Sequence, residues 1–178
     1  MRQYALVTHW HLAAPIERVW DAIFAVEDWP RWWRYVQAVI ELKEGDAKGV
    51  GAVRRFTWSS ALPYRLSFEM SVTAVERPTT MEGIASGELS GCGRWHLEAE
   101  GTTTRVRYDW TVTRTRPWMN FAAPVMQPVF RWNHGRVMAA GGRGLACYLG
   151  VELLSALKEN RTRAYCLLHS SNAFADSR

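Results

Sequence analysis

Cysteine is scarce in this sequence. Cys92, Cys147 and Cys166 are the only three; they lie far apart, are odd in number and form no CxxC pair. That excludes a disulfide framework and a structural zinc site built on cysteine, and it fits a reducing compartment. Long apolar runs are also missing. Charged or polar residues break every extended hydrophobic stretch, so nothing reads as a transmembrane segment. The opening residues MRQYALVTHWHL hold no apolar core followed by a cleavage site. A cytoplasmic location is the expectation. Nor is there a Lys/Arg-rich block. The chain carries a net charge of +5, but its arginines, Arg31, Arg54, Arg94 and Arg143 among them, are scattered along it, so no nucleic-acid partner is expected. No internal repeat, low-complexity tract or linker interrupts the chain, and no Ser–His–Asp order or paired-carboxylate motif stands out.

What is present is aromatic and globular. The 178 residues suit one domain, and 48% hydrophobic against 22% charged residues is a folding balance. Ten tryptophans point to a large core, an aromatic cavity, or both.

Periodicity divides the chain into elements. Residues 3–12 alternate, with Trp10 and Leu12 on one face and His9 and His11 on the other, as in a strand. After Pro15, the residues Ile16, Val19, Trp20, Ile23 and Phe24 recur at helical spacing. A second short helix is predicted around Asp28–Trp33, with Asp28 placed to cap it. Strands are then predicted over 36–43, 53–58, 64–75, 80–88, 93–100 and 104–115, with turns at 44–49, 76–78 and 100–102. Leu66, Phe68, Met70, Val72 and Ala74 share one face; Val106, Tyr108, Trp110 and Val112 share another. A helical pattern carrying Val137, Met138, Leu145 and Leu149 runs on to about Lys158. Strands in one run with helices segregated from them make an α+β fold, its bent antiparallel sheet wrapping the last helix.

Several groups are candidates for function. Strand alternation and the helical stripe put Trp10, Trp58, Phe68, Met70, Trp95, Tyr108, Trp110, Met138 and Leu145 around one inner space, a ligand pocket if it is not filled. Trp29, Trp32, Trp33 and Tyr35 either wall the mouth of that pocket or pack a short helix. His134, with Asn133 beside it, falls on the apolar stripe of the last helix, where it is either a satisfied core residue or a proton-transfer group. His9 and His11 share a wet strand face, and no third metal ligand is visible, so no metal is expected. Gly49-Val50-Gly51 reads as a hairpin, not a phosphate loop, because a strand follows it. Gly141, Gly142 and Gly144 sit inside a helix, which means either close approach to the sheet or room for a ligand. The segment 117–130 is uncharged, and Pro124 and Pro128 argue against one straight helix there. It must be covered by its own domain, by a second subunit as in a homodimer, or by ligand or a transient membrane contact.

These features resemble the START/polyketide cyclase (SRPBCC) superfamily, in its uncharacterised bacterial branch. The resemblance is carried by Ala14-Pro15 with Val19-Trp20, by Trp29-Pro30-Arg31-Trp32-Trp33, and by Gly45 with Gly49-Val50-Gly51. The segments 128–134 and 138–145 add to it. It implies a helix-grip fold over residues 1–159, with a seven-stranded curved antiparallel sheet around a long C-terminal helix. A poorly patterned tail would occupy 160–178. It also implies a cavity between sheet and helix that takes a small hydrophobic molecule, polyketide-, lipid- or aromatic-like, with no cofactor. A carrier or binding protein is the first expectation. The alternatives are a cyclase/dehydratase-like enzyme using His134 and Asn133, and a protein-interaction module with an exposed apolar surface.

Overall fold

The computed structural model describes residues 3–59, 65–113 and 123–159. The chain opens with β1 (Gln3–Leu12), then α1 (Ile16–Phe24), a 3-10 turn (Val26–Asp28) and α2 (Trp29–Trp32). Six strands follow: β2 (Val36–Lys43), β3 (Val53–Ser59), β4 (Arg65–Glu76), β5 (Thr80–Gly87), β6 (Ser90–Glu100) and β7 (Thr103–Thr113). The long helix α3 (Ala123–Leu149) and β8 (Leu153–Glu159) complete it. All strands pair antiparallel in the order β2-β3-β4-β5-β6-β7-β1-β8. This is an α+β helix-grip arrangement.

The sheet has eight strands rather than the expected seven. The helix stops at Leu149 instead of continuing to Lys158. Gly150, at φ 65°, takes the left-handed conformation that ends helices. The amide of Gly150 donates to the Cys147 carbonyl at 3.1 Å and that of Val151 to the Ala146 carbonyl at 2.9 Å, the paired bonds of a Schellman cap. Beyond it, Leu-Leu-Ser-Ala-Leu-Lys-Glu has good helix formers, but pairing with β1 overrides their propensity. At its other end α3 is continuous through Pro124 and Pro128, correcting the expected break. Pro124 costs nothing there, since its missing N–H falls in the first turn.

One face of the sheet carries the core. Trp10, Leu12, Phe56, Met81, Trp95, Leu97 and Val106 are buried against α1, α2 and α3. The predicted inner face of β4 holds through Val72. A register shift between Val72 and Ala74 then turns Ala74 outward and packs Val75 against the core. Asp28 occupies the N-cap of α2 but makes no capping bond; its carboxylate instead accepts from Arg31 at 3.2 Å. In the β2–β3 hairpin, Asp46 accepts from the amides of Lys48 and Val50, and Gly49 and Gly51 take positive φ.

Candidate functional site

The inner space lies between the sheet and the short helices. Alternation along β3, β4, β5, β6 and β7 brings Trp58, Phe68, Met70, Trp95 and Tyr108 to it, together with Phe56, Met81, Gly83 and Gly93. Phe24, Val26 and Trp29 cover it from α1, the 3-10 turn and α2. Its volume is about 70 Å³, against about 300–1,000 Å³ for pockets that take drug-sized ligands. No described α3 residue lines it.

Tryptophan fills the remaining space. Trp33 stands edge-on to Trp58 at 5.0 Å and to Trp10 at 5.6 Å, and Trp10 meets Trp95 at 5.5 Å. Each such pair adds about 0.5–1.5 kcal/mol beyond the area it buries. The ring of Trp33 also docks on α3, where its Nε1 donates to the Val137 carbonyl at 2.9 Å. The glycines of α3 make this approach possible. A Cβ on Gly141 would collide with the Trp33 ring, one on Gly144 with the Trp32 carbonyl, and one on Gly142 would lie 3.0 Å from the Trp10 ring. Of the two readings of these glycines, close packing is the one the geometry supports. Trp10, Trp32, Trp33, Met138 and Leu145 thus sit in the core cluster and not on the cavity wall. Trp110 is buried and stacks on Tyr108, also away from the lining.

Four lining residues carry polar groups: Trp58, Tyr108, Arg54 and Glu82. The Trp58 indole Nε1 is buried and has no hydrogen-bond partner among the described residues. An unpaired buried donor costs about 1–3 kcal/mol. Tyr108 lies stacked on Trp95 at 4.2 Å, and a Cβ on Gly93 would come within 2.7 Å of its hydroxyl. Burial, and secondarily Cys92, pushes the Tyr108 phenol well above its ordinary range. It stays protonated and can donate, but it cannot serve as a base near neutrality. Arg54 of the lining is held by ion pairs. Arg54 holds Glu27 of the 3-10 turn and, at 3.0 Å, Glu41 of β2.

The helix residues lie elsewhere. Asn133 is buried and His134 half-buried on α3, one turn before Met138; neither lines the cavity. His11 bonds Thr103 at 2.8 Å and lies 3.4 Å from Glu100. No group of three or more His, Cys, Asp or Glu among the described residues could hold a metal ion. Residues 117–122 and 160–178 lie outside the described residues, and 123–130 form the first turns of α3. No helix among the described residues is long and apolar enough to cross a membrane.

Sequence reasoning passed over Phe56, Met81, Gly83 and Gly93. The signal was available, since Phe56 alternates with Trp58, and Gly93 with Trp95, on strands whose inner faces were already assigned. Phe24 and Val26 carried no such signal, because they reach the cavity only through the chain's path between α1 and α2.

The family model for polyketide cyclase/dehydrase and lipid transport proteins matches residues 5–150. The chain belongs to this family. Solved structures agree on the fold. A START superfamily protein from Mycobacterium smegmatis superposes with a TM-score of 0.69 at 13% identity, over 83% of this chain and 97% of that one. The Zhui aromatase/cyclase from Streptomyces sp. R1128 gives 0.64 at 13% identity, over 84% and 94%. A protein from Thermus thermophilus gives 0.67 at 16% identity, over 81% and 98%. A comparison with curated proteins finds no match. The family match ends at Gly150, before β8 begins. Membership in the polyketide cyclase/dehydrase and lipid transport family supports a role in hydrophobic-ligand binding or cyclisation.

Proposed function

We propose that the protein binds a small, largely apolar molecule bearing a hydrogen-bond acceptor, and acts as a binding or carrier protein. The observation that carries this is a cavity walled by aromatic rings and methionine, whose lining residues include two donor-bearing side chains, Trp58 with its unpartnered indole Nε1 and the protonated phenol Tyr108. An apolar wall supplies affinity, and a guest carbonyl would satisfy the buried donor. The cavity of about 70 Å³ is smaller than the usual pocket for a ring-sized guest, so such a guest must displace side chains. Met70 and Met81 are the lining groups best able to yield, being unbranched and adaptable. Binding is favoured over catalysis because His134 and Asn133 stand off the cavity wall and Tyr108 holds its proton. The cytoplasm remains the compartment that the sparse cysteines suit.

The test uses two probes of one shape. α-Tetralone carries a carbonyl and tetralin does not. Calorimetric titration of the full chain should favour the ketone by about three- to tenfold, one hydrogen bond's worth. The double variant Trp58→Phe, Tyr108→Phe should erase that preference while still binding tetralin. Equal affinity for both probes in the native protein would show that the donors select nothing. No binding of either probe would overturn the proposed binding role.

A further inference from the structure

We infer a second binding site, for a phosphate-bearing group, on the outer side of α3. Trp132, Arg136, Ala139, Ala140 and Arg143 recur at steps of three and four residues and so form one stripe along the helix. That stripe faces away from the core residues Met138 and Leu145. With Arg34 and Tyr35 from the α2–β2 connection it encloses a cleft of about 450 Å³, some six times the volume of the inner cavity.

The charges in this cleft differ from those of most described arginines. Arg54, Arg55, Arg77, Arg94, Arg105 and Arg107 each hold a carboxylate. Among the described residues, Arg34, Arg136 and Arg143 hold none, and no acidic residue lines the cleft. Two of them lie over aromatic rings instead: Arg136 is 5.2 Å from the centre of Trp132, and Arg34 is 5.5 Å from that of Tyr35. A guanidinium stacked by its face keeps its in-plane N–H donors for an acceptor at its edge. Three like charges converging without an acid repel one another, and a bound dianion reverses the sign of that term. Phosphate suits the site because it accepts from several guanidiniums at once. Trp132 is half exposed, and Ala139 and Ala140 leave the floor open. An apolar or aromatic body attached to the phosphate has a surface to lie on there. This site is independent of the inner cavity, since the two share no lining residue.

The phosphate could be carried by a soluble monoester or by a lipid headgroup, and the experiment separates them. Full-length protein is titrated with phenyl phosphate, with neutral benzyl alcohol as control. In parallel it is sedimented with phosphatidylcholine vesicles, with and without phosphatidic acid. The double variant Arg136→Glu, Arg143→Glu is carried through both arms. Binding of phenyl phosphate but not benzyl alcohol, weakened about tenfold or more in the variant, establishes the site for soluble esters. Sedimentation with acidic vesicles alone, lost in the variant, assigns it to lipid headgroups; loss of both assigns it to the shared phosphate. The variant should keep its melting temperature and its α-tetralone affinity. Absence of binding in both arms, or binding that the variant leaves unchanged, overturns the inference.

Discussion

Tyr108 turns burial into pH dependence. Its phenol titrates far above the ordinary value of 10.0 when folded, because the phenolate would be desolvated. Below pH 10 both folded and unfolded chains hold the proton and nothing changes. Above it the unfolded chain releases the proton and the folded one does not, so stability falls as pH rises, by about 1.4 kcal/mol per unit from this one group. Melting temperature followed from pH 8 to 11 should therefore drop more steeply for the native protein than for Tyr108→Phe. Parallel curves would mean that the hydroxyl reaches water. At this scale the sequence was partly readable. Alternation put Trp58, Phe68, Met70, Trp95 and Tyr108 on the inner face, where they are found. It could not say which inner residues meet empty space and which meet one another. Trp10 and Met138 obey the same periodicity as Tyr108 and end in packed core, because that outcome depends on the path of α2 and α3.

At the scale of elements, the fit of α3 against α2 depends on missing side chains. In an open helix, Gly→Ala gains about 1 kcal/mol. At Gly144 the added methyl meets the carbonyl of Trp32, which is backbone and cannot rotate away. Overpacking of this kind costs about 1–3 kcal/mol or more, so the loss wins. Gly144→Ala should lower the midpoint of chemical denaturation. Gly142→Ala, which meets only the movable Trp10 ring at 3.0 Å, should lower it less. A stabilised Gly144→Ala would mean that the two helices stand further apart. Strand and helix positions were legible because hydrophobic period and turn residues agree along most of the chain. They failed at 150–159, where helix-forming residues belong to a strand. The deciding information there is a long-range ladder to β1 that local sequence does not contain.

For the whole molecule the eighth strand changes what the sheet exposes. Without it, β1 would be an edge, and an uncovered edge is a template for another chain. β8 covers β1 from Val7 to Leu12. A chain ended at Gly150 should associate in sedimentation velocity runs, while one ended at Asn160, keeping β8, should sediment like the full-length protein. If both behave alike, β8 does not protect the edge. The same strand sets how the fold answers to force. Val7 lies opposite Glu159, so tension applied at Gln3 and Glu159 opens the β1–β8 ladder from its end, one pair after another. Hydrogen bonds loaded in sequence yield more easily than those loaded together. β8 would peel first, and the pull would then pass into α3 before it reached the β1–β7 ladder. Under tension the strand added after the family's matched region is a sacrificial strip, the first part to give and the one whose loss leaves the cavity walls standing.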